Sequence, residues 1–250
     1  MRRLLAAALI AFPSSVPTGL TAQESPPPIE DNSFLLEEAY NQEAGVVQHI
    51  NALLRLRGSW SYAFTQEWPL GGQRHQLSYT VPIDGGLGDV ALNYRHQLGG
   101  GIVALAPRLS VILPTGNADR GYGTGSVGFQ LNLPVSATVA PTLVAHWNAG
   151  ATVTPSNAAI YNAGASAIWL TRPTVNVMVE LSWVGAGGGG GEELLLSPGL
   201  RWAQNVRGGL QIVPGIAYPI GLGPSAGARG VFLYLSFEHS FKSSVPAGAP

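Results

Sequence analysis

Hydrophobic and polar residues alternate almost without error along the stretch GSVGFQLNLPVS, residues 125–136. In an extended chain Phe129 and Leu131 fall on one side, whereas Gln130 and Asn132 fall on the other. A strand with this pattern places one face in an apolar medium and the other in water or a polar interior. The apolar medium can be the core of a folded domain or a lipid bilayer, and the rest of the chain has to distinguish the two.

The same two-residue period recurs along most of the chain and predicts twelve strands, of which the first is the least regular. They span residues 44–55, 59–68, 74–83, 89–98, 102–114, 125–136, 142–153, 160–170, 174–184, 193–203, 209–220 and 230–241. Short connections such as GGG and RPT alternate with longer ones such as TGNADRGYGTG and GAGGGGGE. This alternation is typical of an antiparallel up-and-down barrel with short turns at one end and long loops at the other.

The composition favours lipid over a protein core. Charged residues make up 11% of the chain, against roughly 25% in typical soluble domains. The polar strand faces carry mainly Ser, Gly, Ala, Asn, Gln and Thr, which suits a narrow interior better than a solvated surface. Apolar strands with open edges aggregate, and closure into a barrel removes those edges. The sequence therefore predicts an all-β, transmembrane antiparallel β-barrel of about 12 strands, and not a β-sandwich.

Aromatic residues supply an independent test, because membrane barrels carry Trp and Tyr at both water–lipid boundaries. Following strand direction, one group of aromatic side chains falls beside the long loops and another beside the short turns, all on the apolar face. The predicted belts comprise Trp60, Tyr161, Trp183 and Tyr218 at the first boundary and Trp68, Trp169, Trp202 and Phe241 at the second.

The N-terminus has the layout of a secretory signal peptide, predicted to comprise residues 1–22. Arg2 and Arg3 precede an apolar run that ends at Phe12, and the small Ala22 could precede the cleavage site. The run is too short for a membrane anchor, which needs roughly 20 apolar residues. The chain is therefore expected to be exported. The remaining predicted regions are an acidic N-terminal linker at 23–43, the barrel at 44–241 and a C-terminal tail at 242–250.

The linker is the most acidic region of the chain, with six carboxylates from Glu24 to Glu43. Three consecutive prolines predict an extended lead-in, after which Asn32 or Ser33 could cap a short helix through Glu38 to Asn41. Such a segment could sit in the periplasm, fold into the barrel as a plug, or remain a disordered lead-in. The sequence leaves these alternatives open.

Residues 107–136 carry an alternating strand that ends in LPTG, a Gly-rich loop, the sequence GTGS and a second alternating strand. This stretch resembles a family of bacterial outer-membrane proteins named for the meta-pathway of phenol degradation. The stretch DNSFLLEEAYNQEAGVVQHI, residues 31–50, is similar to the opening of such proteins. The stretch YLSFEHSF, residues 234–241, is similar to the last strand of outer-membrane barrels, which usually ends in Phe; here nine residues follow Phe241.

This resemblance implies a Gram-negative outer-membrane barrel that acts as a channel or transporter for small molecules, hydrophobic or aromatic ones among them. It identifies no catalytic or binding residue. The expected partners are outer-membrane lipids, the barrel assembly machinery and a small-molecule solute. A nucleic-acid partner is not expected, because the net charge is -1 and the basic residues are scattered.

Charged and polar residues on the inward faces are the best candidates for selecting a solute, because opposed Arg and Glu side chains set a transverse field in a pore. Alternatively, these charges pair across the lumen, seal it and leave a structural or adhesive barrel whose loops act outside the cell. The candidate lumen-lining residues are Arg95, Arg108, Asn132, His146, Glu180, Arg201 and Glu238. The candidates in the external loop, at the pore mouth, are Asn117, Asp119 and Arg120.

The five histidines raise a third interpretation, a lipid-modifying enzyme with Ser and His on its outer wall. His239 and Ser240 are adjacent in sequence, but neighbouring strand residues point to opposite faces and cannot form a nucleophile–base pair within one strand. A partner on a neighbouring strand is left open by this argument, but an enzyme is not expected. Because the chain has no cysteine and the 116–125 loop has one carboxylate, no cofactor or metal site is predicted either.

Overall fold

The computed structural model describes residues 28–155 and 157–241, so the predicted signal peptide and C-terminal tail lie outside the described residues. Sixteen strand segments make up nearly all of the regular structure. Their bounds are β1 Val46–Leu56, β2 Ser59–Pro69, β3 His75–Ile83, β4 Ala91–His96, β5 Val103–Leu105, β6 Arg108–Ile112, β7 Gly128–Asn132, β8 Val135–Ala140, β9 Leu143–Thr154, β10 Asn157–Arg172, β11 Val175–Ala186, β12 Glu192–Trp202, β13 Gln204–Val206, β14 Leu210–Ala217, β15 Ile220–Gly221 and β16 Gly230–Ser240.

Twelve of these segments form a closed antiparallel barrel, which confirms the predicted fold class. The order around the barrel is β1-β2-β3-β4-β6-β7-β9-β10-β11-β12-β14-β16. The barrel closes where β16 pairs with β1, from Val46 opposite Ser240 to Leu56 opposite Gly230. The other four segments, β5, β8, β13 and β15, continue neighbouring barrel strands after interruptions of one or two residues.

Prolines explain three of the four interruptions. Pro107 separates β5 from β6, Pro134 separates β7 from β8, and Pro219 separates β14 from β15. A proline has no N–H to give to a neighbouring strand, so the ladder is broken at each position while the chain keeps its direction.

The two ends of the barrel differ. We call the end where β1 begins and β16 ends the proximal end, and the opposite end the distal end. Four of the five proximal turns are short, whereas the distal connections include 84–90, 113–127 and 222–229. The first distal connection is an exception, a two-residue turn at Arg57 and Gly58 with φ of 53° and 87°. Two positive φ values in succession match the type I′ turn that suits a hairpin.

Strand boundaries depart from the predictions at several places, among them the end of β8, the end of β13 and the start of β10. Residues 154–159, between two predicted strands, were expected to be a distal connection, but β10 already begins at Asn157 and runs for 16 residues. Asn157 faces Thr154 of β9 in the ladder, so the hairpin pairing continues almost to the turn. Alanine and asparagine are weak strand formers, and here the neighbouring strand imposes the extended conformation that these residues do not favour by themselves.

The barrel has an apolar outer face and a polar inner face. On β7, Leu131 is 48% exposed on the outside whereas the next residue, Asn132, is 3% exposed on the inside. The residues of the two predicted aromatic belts all lie near strand ends, four toward the distal end and four toward the proximal end. Exposed among them are Trp60, Tyr161, Trp169, Tyr218 and Phe241, whereas Trp68, Trp183 and Trp202 are half-buried.

Helical structure is limited to two single turns of 3-10 helix in the described part of the chain, Ala118–Arg120 and Gly223–Ser225. Over the ranges 28–155 and 157–241, no helix has the length and apolar character needed to cross a membrane.

Candidate functional site

Residues 28–43 lie inside the barrel, and we call them the inner segment. The structure has bends and otherwise irregular chain there, in place of the short helix expected through Glu38 to Asn41. The segment enters at the proximal end, where the Ile29 N–H donates to the Pro173 carbonyl at 2.8 Å. It leaves toward β1 near the same end, where the Gln42 N–H donates to Oε1 of Gln76 at 2.7 Å. The inner segment therefore occupies the lumen as a plug, which is one of the alternatives that the sequence left open.

Wall side chains satisfy the backbone of the inner segment. Oε1 of Glu180 accepts the N–H groups of Phe34 and Leu35 at 3.0 and 2.9 Å. The Asn148 side chain both accepts from the Glu37 N–H at 2.9 Å and donates to the Glu37 carbonyl at 2.7 Å. A buried chain without helix or sheet must find partners for each N–H and C=O elsewhere. The amides and carboxylates of the wall supply them.

Two salt bridges connect the inner segment to adjacent strands. Nε of Arg108 lies 2.9 Å from both Glu37 carboxylate oxygens, and Nη2 lies 2.5 Å from Oε1. On the neighbouring strand, Arg95 Nη1 lies 3.5 Å from Oε1 of Glu38. Burial alone would raise the pKa of Glu37, but the charge and hydrogen bonds of Arg108 outweigh it and hold that pKa below its ordinary value. Glu37 is therefore ionised when it is docked.

The remaining predicted lumen residues also face inward. Nη1 of Arg201 donates to the Asn32 carbonyl at 2.6 Å, and the guanidinium lies 5.1 Å from the Tyr234 ring centroid. Nε2 of His146 lies 2.9 Å from the Asp31 carbonyl. Asn132 donates to Asn148 at 3.0 Å, and Glu238 accepts from Gln48 at 2.6 Å. Most of the predicted lumen residues thus contact the inner segment directly, so the lumen is not filled by wall charges that pair with each other. Their role in selectivity stays a prediction.

A notch in the wall receives the ring of Phe34. The ring centroid lies 5.3 Å from those of Phe232 and Tyr234 on β16. On the adjacent strands a Cβ built on Gly199 would lie 2.9 Å from the Phe34 ring, and one built on Gly215 would lie 2.5 Å from it. Any side chain at Gly215 would occupy the space of the ring, so the two glycines make room for the inner segment.

The lumen contains cavities beside and beyond the inner segment. One of about 300 Å³ extends along β1 to β7, and its lining includes Arg95, Arg108, Glu67 and Tyr234. Another, of about 760 Å³, lies at the distal mouth beneath Tyr122 and the 84–90 loop. The distal half of the lumen therefore has room for small molecules.

The predicted residues of the distal loop do not converge on a site. The Asn117 side chain caps the turn by accepting from the Arg120 N–H at 3.1 Å. The Arg120 guanidinium lies 5.5 Å from the centre of the Tyr122 ring. Asp119 belongs to the same turn.

Asp89, which the sequence reasoning missed, fastens this loop. Its carboxylate accepts from the Gly116 N–H at 3.0 Å and from the N–H and hydroxyl of Thr124 at 2.7 and 2.9 Å. Burial raises the pKa of Asp89, but these hydrogen bonds outweigh it and lower the pKa below its ordinary value. LPTG and GTGS both contribute partners, so the two short motifs meet at one carboxylate. A lone aspartate gave no sequence signal of this role.

Histidines on the outer wall contact one another and aromatic residues. His75 lies 2.6 Å from the Tyr94 hydroxyl and 3.2 Å from His96, and His49 lies 3.3 Å from His239. Among the described residues no outer-wall histidine has a serine hydroxyl as its hydrogen-bond partner. Within the ranges 28–155 and 157–241 there is also no group of three or more side chains suited to hold a metal ion.

One Ser–His pair does occur, but it lies inside the lumen. The Ser136 hydroxyl is 2.7 Å from Nδ1 of His146, and both residues are fully buried. Ser136 also accepts from the Ala39 N–H at 2.7 Å, and Nε2 of His146 contacts the Asp31 carbonyl. All of these contacts hold the inner segment in place, and none leaves the hydroxyl accessible to a substrate.

Glu37 and Glu38 were not singled out by sequence reasoning. The only signal was the concentration of carboxylates in the linker, together with two arginines on the polar faces of consecutive predicted strands. The register places Arg95 directly opposite Arg108, and like charges in that position destabilise a sheet. Glu37 and Glu38 of the inner segment offset that repulsion, because each pairs with one of the two arginines.

Comparison with known structures places the fold among outer-membrane channels. An outer membrane channel from Pseudomonas putida F1 has a TM-score of 0.57 and 12% sequence identity, covering 81% of this chain and 98% of that one. KdgM porin has a TM-score of 0.55 and 9% identity, and NanC porin 0.55 and 8%; each comparison covers 78% of this chain and 99% of the porin.

No family model and no curated protein sequence matches the chain. The resemblance of residues 107–136 to the phenol meta-pathway family therefore stays a prediction. At identities this low the comparison establishes the fold alone: the chain is a closed antiparallel β-barrel with a fold similar to that of outer-membrane porins.

Proposed function

We propose that this protein is a channel of the Gram-negative outer membrane that passes small molecules, and that it is exported by its N-terminal signal peptide. The observation that carries the proposal is a polar lumen with cavities, obstructed in its proximal half by a segment that is not part of the wall. The barrel scaffold is complete without that segment, because every barrel strand has two strand neighbours. Displacing the segment would leave a continuous path.

The family resemblance adds an expectation about the solute. It suggests hydrophobic or aromatic molecules, and the lining of the cavity near the inner segment is consistent with part of this. Ile50, Phe34 and Tyr234 contribute apolar surface there, and Thr65, Thr80 and Asn93 contribute polar groups. Such a mixed lining suits a small aromatic molecule that carries one polar group.

The test is solute flux through the purified protein. We expect liposomes that contain the full chain to show slow uptake of small solutes, and planar bilayers to show rare openings. A shortened chain that lacks residues 28–43 is expected to conduct continuously. If neither protein passes ions or solutes after insertion has been verified, the channel proposal is wrong.

A second candidate is the sealed structural or adhesive barrel, and the buried contacts of the inner segment favour it. That function predicts no flux through the full chain under any condition, with flux only in the shortened chain. Openings of the full chain in planar bilayers distinguish the two.

A further inference from the structure

The Arg108 guanidinium is oriented by neutral side chains of the wall. Nη1 donates to Oδ1 of Asn93 at 2.8 Å and to the Ser110 hydroxyl, and Nη2 donates to Oε1 of Gln130 at 2.8 Å. These three partners come from β4, β6 and β7 and fix the plane of the guanidinium. The edge formed by Nε and Nη2 is left for another acceptor, and in this structure Glu37 occupies it.

This arrangement is a receptor for a carboxylate. An arginine fork binds a carboxylate through two parallel hydrogen bonds, which gives geometric specificity as well as energy. Among the described contacts of Arg108, the only carboxylate is that of Glu37; the partners on the wall are neutral. Displacing Glu37 would thus leave a partly buried positive charge without a counterion.

The surroundings of Arg108 limit which carboxylate fits. The cavity of about 300 Å³ reaches Arg108, Asn93 and Gln130, so a small molecule has room beside the guanidinium. Glu67 and Arg95 also line this cavity. An acidic and a basic side chain offset each other, so Arg108 is the cation that remains for a bound anion. The site therefore favours a small molecule with one carboxylate and a neutral remainder over a polyanion.

We propose that Arg108, held by Asn93, Ser110 and Gln130, is the carboxylate-binding subsite of the channel, and that Glu37 is a built-in stand-in for a monocarboxylate solute. The proposal rests on the channel function above and specifies its solute class. A solute that arrives from the distal cavity competes with Glu37, and its binding releases the inner segment. A group tethered by a short linker acts at an effective concentration of about millimolar, so free carboxylate has to reach that range to compete.

The experiment compares benzoate with benzamide, its neutral analogue of nearly the same shape. Binding is measured by calorimetry on the full chain, on the Glu37→Gln variant and on the shortened chain that lacks residues 28–43. We expect benzoate to bind the Glu37→Gln variant and the shortened chain at least several-fold more tightly than the full chain. Benzamide is expected to bind none of the three appreciably.

Arginine variants identify the residue responsible. Arg108→Gln in the shortened chain is expected to abolish benzoate binding, Arg108→Lys to weaken it, and Arg55→Gln to leave it unchanged because Arg55 is exposed on β1 outside the lumen. Each variant is first checked for a folded barrel by its heat-modifiable migration on gels. In planar bilayers, benzoate at millimolar concentration is expected to raise the open probability of the full chain.

Equal binding of benzoate and benzamide, undiminished binding to folded Arg108→Gln, or no gain in affinity for Glu37→Gln would each overturn the proposal. Calorimetry does not depend on conduction. Benzoate binding without any current would overturn the channel function and support the carboxylate subsite. Current without benzoate binding would support the channel function and overturn the carboxylate subsite.

Discussion

The proximal and distal halves of the lumen differ in how exposed their wall residues are. On β1, Gln48 in the proximal half is fully buried, whereas Ala52 further along the same strand is half-buried. On β3, Gln76 is buried and Thr80 is half-buried. The difference follows the inner segment, which packs against the proximal residues and leaves the distal ones to the cavities. The inner segment, which precedes β1, thus obstructs the proximal half of a lumen that the wall alone would leave open.

The largest expected effect comes from filling the notch that holds Phe34. Gly215→Val places side-chain atoms where the Phe34 ring lies, and overpacking of this kind costs about 1–3 kcal/mol. That cost falls on the docked state of the inner segment, so the proximal half should become as accessible as the distal half. We expect a strong rise in open probability in planar bilayers, and faster proteolysis within residues 28–43.

Gly191→Val is the matched control, because a Cβ built on Gly191 in the distal β11–β12 connection meets no atom within 4 Å. An unchanged open probability in Gly215→Val, with the barrel folded, would mean that the ring of Phe34 does not hold the inner segment in the lumen.

A smaller effect is expected from pH, because pH changes the charge of the inner segment and so the strength of its docking in the proximal half. The pKa of Glu37 is lowered in the docked state by Arg108, so docking weakens as pH falls through that lowered pKa. The pKa of Glu30 is raised by burial and by the charges of Glu238 and Glu38, so docking also weakens as pH rises through that raised pKa. The channel is therefore expected to be most closed over an intermediate pH range and to open at both extremes.

Open probability as a function of pH checks this expectation. Glu37→Gln should weaken the response on the acid side and Glu30→Gln the response on the alkaline side, where the Glu180 carboxylate also contacts the inner segment. A monotonic profile in the unmodified protein, or responses that neither substitution diminishes, would contradict the assignment.

The smallest effect is expected at the distal mouth. Asp89→Asn removes the charge that accepts from Gly116 and Thr124, which should loosen the 113–127 loop by about 1 kcal/mol. We expect faster proteolytic cleavage of that loop and little change in conduction, because the constriction lies in the other half. Asp84→Asn, an exposed aspartate of the neighbouring loop, is the control. Strong activation of the channel by Asp89→Asn would place a gate at the distal mouth.

The sequence predicted the wall far better than the contents of the lumen. Alternation at residues such as Phe129 and Gln130 repeats every two residues and depends only on which face meets lipid, so the strands and their inward charges could be assigned. The inner segment has no period. Its position depends on contacts between distant residues, such as Ser33 with Ser166, and on a strand register that alternation alone does not specify. For the same reason, the pairing of Glu37 with Arg108 could not be predicted from the sequence.

The most direct test of the account is a reversible cross-link between the inner segment and the wall. The hydroxyl oxygens of Ser33 and Ser166 lie 2.6 Å apart, and the chain contains no cysteine, so the double variant Ser33→Cys and Ser166→Cys carries a single thiol pair. We predict that this pair forms a disulfide in the folded barrel, that the oxidised channel stays closed, and that reduction restores the openings of the unmodified protein. Failure of the disulfide to form, or equal conductance before and after reduction, would contradict the claim that the inner segment lies in the lumen and closes it.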